Sequence, residues 1–201
     1  MDSSRLNNTS SVKVMKPALV FDLDDTIVHV TQLLPKQYEH KFKDSQELFS
    51  ILVNKTRFFV HIRPNFQEFI TNLSTLFEIF IFTSSKKEYA NPIIDKILPN
   101  VKPENRFFKD SCRYECGYSV KDLSLLNRPM DTVLLVDDTA GSALLNRENL
   151  ILVDPWYGES DDSLFSNLSN LLNHIAFENN IVEAFLDALK TGRYQGISGF
   201  P

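Results

Sequence analysis

At 201 residues the chain has room for one ordinary domain with a sizeable core and small inserts. Its 43% hydrophobic and 23% charged residues are the balance of a soluble globular protein, and a net charge of −5 argues against a surface that holds nucleic acid or acidic membranes by charge alone. No apolar run reaches bilayer length, and the polar opening stretch lacks a signal-peptide core. Cys112 and Cys116 are too few for a disulfide framework, and without a second pair they make a poor zinc site. The expectation is a soluble intracellular protein of cytoplasm or nucleus, or one delivered into a host cell.

Residues 1–15 read as a disordered tail, 16–191 as one domain, and 192–201 as a loose tail or the boundary to a further domain. The domain opens with "ALVFDLDDTIVHV", in which the apolar strand-forming run 18–21 meets Asp22, Asp24 and Asp25. Carboxylates that close repel one another, and burying them costs free energy unless a cation or hydrogen bonds compensate. Residues 46–62, with Asn54-Lys55 as the turn, read as a β-hairpin. Residues 64–76 read as a helix with proline at its front and Phe66, Phe69, Ile70 and Leu73 recurring at three and four. The run 77–82 repeats the opening design and leads into Thr83 and Ser84. A helix over 85–98 follows, stopped by Pro99, then a second hairpin over 105–118. The run 132–136 leads into Asp137 and Asp138. A short strand over 151–153, a helix opened at 161–168 with acidic residues in its first turn, and a helix over 181–189 complete the pattern.

Strand-helix alternation of this kind gives an α/β fold with a parallel sheet flanked by helices, the hairpins being edge inserts. Ligands of such sheets bind outside the carboxyl ends of the strands, so the three polar endings meet in one crevice. There Asp22 and Asp24 can divide nucleophilic and proton-transfer work if their environments separate their pKa values. Mg²⁺ favours carboxylate and phosphate oxygens and would reconcile the clustered acids. Taken singly, each feature has a plainer reading: a solvated acidic turn for Asp22 and Asp24, helix caps for Thr83 and for Asp137-Asp138, and an exposed side chain for Lys121. Taken together, four carboxylates face the charges of Mg²⁺ and Lys121, and Thr83 with the following helix start suits a phosphate. His29, His61, Trp156 and Tyr157 read as packing residues.

The segments "ALVFDLDDTIVH", "FFVHIRPNFQEF", "FEIFIFTSSKKEYANPIID", "FFKDSC…YSVKDLSLL", "TVLLVDDT" and "VDPWYGESDDSLFSNL" occur in that order over about residues 17–175. "DLDDT" resembles the Asp-x-Asp-x-Thr signature of haloacid-dehalogenase-type phosphatases. The ordered set resembles one branch, the FCP/SCP (NLI-interacting-factor-like) small C-terminal-domain phosphatases. The resemblance implies a HAD-like Rossmannoid sheet and Mg²⁺-dependent hydrolysis of phosphomonoesters through an aspartyl phosphate. Asp22 would be the nucleophile and Asp24 the general acid and base. Thr26 would orient their loop, and Thr83, Ser84 and Lys121 would hold phosphoryl oxygens. Mg²⁺ would be held by the Asp22 side chain, the Asp24 carbonyl and Asp138, with Asp137 on a metal-bound water or as a further ligand; many relatives have Asp-Asn where this chain has Asp137-Asp138. One helix and one hairpin use up the chain between Thr83 and Lys121, which leaves no large cap and favours a phosphorylated protein over a metabolite. At two positions that shape a proline pocket in the family this chain has Gln32 and Lys86. A polar, basic rim there suits an acidic phosphopeptide or phosphotyrosine, with Phe49, Ile51 and Phe58 as an apolar wall. A monomer without direct nucleic-acid binding is expected. The alternatives are a non-catalytic binding module on this fold and a small-molecule phosphatase.

Overall fold

The structure, a computed structural model, describes residues 15–33 and 47–201. Apart from Met15, the tail expected over 1–15 lies outside the described residues. Strand β1 (Ala18–Phe21) is buried along its whole length, as an apolar run in the middle of a parallel sheet must be. It is flanked by β5 (Glu78–Phe82) and β9 (Val133–Asp137), both parallel to it. The registers pair Phe21 with Ile81 on one side and with Val136 on the other, so the polar residues after each run emerge nearly level. Beyond β9 lies parallel β10 (Leu150–Val153), and beyond β5 lies the two-residue β6 (Arg106–Phe107). Antiparallel β11 (Ile197–Ser198) closes the β10 edge.

Alternating residues face opposite sides of this sheet. Leu19, Phe21, Ile81, Leu134 and Val136 join a cluster with the apolar faces of the four helices among the described residues: α1 (Phe66–Leu73), α2 (Lys87–Ile97), α3 (Leu164–Ile175) and α4 (Ile181–Leu189). Phe69 and Phe165 meet at 4.6 Å between ring centroids, and Phe21 presents an edge to Phe69 at 5.9 Å. The opposite face, including Val20, Phe80, Phe82 and Leu135, is covered by short 3₁₀ turns through Leu123, Leu126 and Ala143.

The expected hairpin over 46–62 is β3 (Leu48–Val53) and β4 (Thr56–Ile62), turning on Asn54 and Lys55 with φ of 48° and 68°. It gains a third strand, β2 (Val28–Thr31), paired antiparallel with β4. That strand's short polar-apolar alternation gave no separate signal after the aspartates. The hairpin expected over 105–118 is divided differently. Residues 106–107 join the main sheet, and the hairpin is β7 (Cys112–Glu115) with β8 (Tyr118–Lys121), turning on Cys116 and Gly117. Lys121 therefore ends a strand. The ring of Tyr118 lies where a Cβ at Gly141 would sit, so that glycine lets β8 close onto the turn after β9.

Helix α3 begins at Leu164, later than expected, and Asp162 accepts the Leu164 N–H (3.0 Å) from ahead of the helix instead of lying in its first turn. The segment 192–201, expected loose, is tied down by β11 and by Arg147 over the Phe200 ring (4.8 Å). No helix among the described residues is long and apolar enough to cross a membrane.

Candidate active site

Asp22 leaves β1 with its N–H still donating to the Val136 carbonyl (2.9 Å). The chain then folds back sharply. The Leu23 carbonyl accepts the N–H groups of Ile27 and Val28 (3.0 Å each), the Asp25 N–H donates to the Val28 carbonyl (2.7 Å), and Asp25 takes a left-handed φ of 58°. A tight loop thus sets Asp22 and Asp24.

Lys121, at the end of β8, is only 2% exposed. Its Nζ donates to Asp22 Oδ1 (2.5 Å) and to Asp137 Oδ2 (2.6 Å). A lysine so deeply buried is tolerated because both neighbours are carboxylates. The second oxygen of Asp137 accepts the Thr139 N–H (2.8 Å), and Thr26 Oγ1 donates to Asp138 Oδ1 (3.1 Å). Thr26 therefore ties the loop after β1 to the turn after β9. One carboxylate oxygen from each of Asp22, Asp137 and Asp138 lies within 4.8 Å of the others. Three hard oxygen donors at that spacing fit Mg²⁺, and each carboxylate keeps lone pairs beyond those its hydrogen bonds use.

Asp24 is not in that group. Its Oδ2 accepts from Ser85 Oγ (2.7 Å) and its Oδ1 from the Tyr89 hydroxyl (2.5 Å). Tyr89 comes from α2, and its ring meets the edge of Phe58 at 5.6 Å. Thr83 is buried at the end of β5, its N–H on the Phe107 carbonyl (3.0 Å) and its Oγ1 accepting the Ser85 N–H (3.0 Å). Ser84 is exposed between them. Of the expected substrate wall, Ile51 and Phe58 are cross-strand partners, and Phe49 pairs with Val60 on the same hairpin. Gln32 is exposed just past β2, and Lys86 is exposed at the N-cap of α2.

Burial pushes Asp22 up to about 8, against the opposing pull of Lys121 and with help from Asp137. Burial lifts Asp24 as well, while the hydrogen bonds from Tyr89 and Ser85 lower it. Asp138 is raised by burial and by its neighbour Asp137. Burial would lower Lys121, but Asp137 and Asp22 outweigh it and hold the ammonium above its ordinary value.

The structure brings Asp22, Asp24, Thr26, Thr83, Lys121, Asp137 and Asp138 together at the strand ends. Ser85 and Tyr89 were not anticipated; Ser85 lies two residues past Thr83, ahead of α2, and Tyr89 lies in the first turn of α2. A third unanticipated residue is Arg63, a buried cation. It donates to the carbonyls of Thr26 and Asp154 (3.2 Å each) and to Asp162 Oδ2 (2.7 Å), while the Trp156 N–H donates to the Asp25 carbonyl (2.8 Å).

Residues 17–182 match the family model described as NLI interacting factor-like phosphatase. The chain is 33% identical over 185 residues to "CTD small phosphatase-like protein 2" of Dictyostelium discoideum, covering 91% of this chain and 31% of that one. It is 29% identical over 177 residues to "CTD nuclear envelope phosphatase 1" of Xenopus laevis, covering 85% and 71%. It is 29% identical over 168 residues to the human "CTD small phosphatase-like protein", covering 83% and 58%. The fold is shared with the fission yeast RNA polymerase II CTD phosphatase Fcp1 bound to beryllium fluoride, with a TM-score of 0.58 and 22% identity over 88% of this chain and 51% of that one. The chain spans under a third of the first relative and most of the second, and with the family model matched over residues 17–182 it belongs to the NLI interacting factor-like phosphatase family.

Proposed function

We propose that residues 16–191 form a Mg²⁺-dependent phosphatase domain that hydrolyses phosphoserine, phosphothreonine or phosphotyrosine of a protein inside a cell. The observation that carries this is the Lys121 ammonium held between Asp22 and Asp137, with Asp138 in the same cluster. A carboxylate nucleophile needs a partner that screens it from an incoming phosphate, and this cluster supplies one.

In the first half-reaction an Asp22 oxygen attacks phosphorus. The bond from phosphorus to the substrate oxygen breaks, its electron pair goes to that oxygen, and Asp24 donates the proton. In the second, the Asp24 carboxylate takes a proton from water as the water oxygen attacks phosphorus. The Asp22–phosphorus bond then breaks and its electrons return to the carboxylate. A carboxyl lifted by burial is suited to the acid role. Lys121, Thr83 and Ser84 steady the phosphoryl oxygens. The Asp22 side chain, the Asp24 carbonyl and Asp138, with Asp137 on a metal-bound water or as a further ligand, would hold Mg²⁺, which when bound neutralises charge on the phosphoryl group.

The test is phosphate release from a panel of phosphoserine, phosphothreonine and phosphotyrosine peptides with Mg²⁺. Asp22→Asn is expected to lower turnover by about a thousandfold or more. Wild-type turnover in that variant would overturn the mechanism. Higher catalytic efficiency on a metabolite panel would move the substrate class to small molecules, and no Mg²⁺-dependent turnover with tight partner binding would point to a binding module.

A further inference from the structure

Next to Ser85, whose hydroxyl reaches Asp24, lies a cavity of about 380 Å³ lined by Asn54, Lys86, Lys87, Glu88, Lys109 and Asp110. Its walls come from the β3–β4 turn, the start of α2 and the 3₁₀ turn before β7. In a chain of net charge −5, three lysines converge here. None of the three forms an ion pair among the described residues, neither with Glu88 nor with Asp110. The Lys87 Nζ stands 6.0 Å from the centroid of the Phe108 ring, which restrains an otherwise free side chain.

The cavity is tied to the chemistry through one residue. The Lys109 N–H donates to the Ser85 carbonyl (3.0 Å), Lys86 follows Ser85 directly, and Ser85 Oγ donates to Asp24 (2.7 Å). An extended peptide whose phosphorylated side chain enters the crevice beside Asp24 would run its neighbouring residues past these lysines.

We propose that this cavity is a subsite for an acidic side chain, aspartate or glutamate, flanking the phosphorylated residue of the substrate. The inference rests on the phosphoprotein-phosphatase reading above. Ammonium groups act as point charges and do not impose bidentate geometry, which suits a carboxylate approaching in several registers. Glu88 and Asp110 in the same lining keep the local excess of positive charge small. That favours a carboxylate monoanion over a second phosphate dianion.

The experiment measures binding, not turnover. Two peptides carry a non-hydrolysable phosphonate in place of phosphoserine and differ only in Glu or Gln on either side of it. Fluorescence anisotropy with the wild-type protein and Mg²⁺ at low salt is expected to give the Glu peptide a Kd about tenfold lower, as a few exposed charge pairs would. The advantage shrinks as salt is raised. Lys87→Glu with Lys109→Glu is expected to reverse the preference, and the milder Lys87→Gln to reduce it. Equal Kd values for the two peptides, or a preference unchanged in a folded double variant, would overturn the subsite while leaving the phosphatase reading standing. Failure of both peptides to bind would overturn both.

Discussion

Replacing Lys121 with Met would leave Asp22 and Asp137 buried beside each other with no cation between them. Breaking a buried ionic cluster from one side costs about 3–5 kcal/mol, to be read from urea unfolding of the metal-free protein. The same cluster sets a pH dependence. The folded pKa of Asp22, about 8, stands above its ordinary value of 3.8. The protonated carboxyl therefore contributes stability that is fully present below about pH 4 and is lost as pH rises through about 8. Thermal melts in EDTA should show stability falling across that window, with a flatter profile in Asp22→Asn. Mg²⁺ competes with the same proton, so its affinity should rise with pH. An Asp22→Asn slope equal to wild type would assign the effect elsewhere. For Tyr89→Phe the ring contact with Phe58 stays and only the hydrogen bond to Asp24 is lost. Turnover of phosphoserine peptides, whose leaving oxygen needs a proton, should fall about tenfold. An aryl phosphate with a good leaving group should be far less affected. Equal losses on both would make Tyr89 a packing residue.

Strands and turns decide which of these residues the sequence could disclose. Asp22, Thr83 and Asp137-Asp138 each end an apolar run, and parallel pairing in register brings such endings together, so their meeting was legible. Lys121 was legible only through its motif, since its burial depends on where β8 begins and ends, and the hairpin was misplaced by several residues. Tyr89 was hidden because a tyrosine at helical spacing in an amphipathic stretch reads as core, and Ser85 because a hydroxyl just ahead of a helix reads as a cap. Arg63 was hidden because its partners lie far along the chain, and no local pattern encodes them. The β8 hairpin offers its own test. Gly141→Ala would drive a methyl into the Tyr118 ring and shift β8, with Lys121 at its end. Activity should fall about tenfold or more, with a lower melting temperature. Tyr118→Ala in the same chain should recover most of the loss, because the ring is the obstacle. Failure of the second change to restore activity would place the strain in the backbone turn instead.

The molecule as a whole is asymmetric. Among the described residues all four helices gather on one side of the sheet, while short turns cover the other and the β7–β8 hairpin brings Lys121 to the strand ends. The site thus draws on the start of α2 and the loop before it for Asp24's partners and on the β7–β8 hairpin for its cation. Strand-helix alternation could announce an α/β domain, but not this division, because short 3₁₀ turns carry no period that a sequence displays.

Arg63 binds the edges of that arrangement together, reaching Thr26, Asp154 and Asp162 from a position 3% exposed. Its contacts are unequal: one is a side chain, and two are backbone carbonyls that exist whatever residues stand there. Mutational drift should therefore be one-sided. A change at Asp162 removes a single acceptor and can be absorbed by a neutral one such as asparagine. A change at Arg63 strands three acceptors at once, and no single later substitution replaces them. In a saturation library selected for folded protein, position 162 should tolerate several residues where position 63 tolerates almost none.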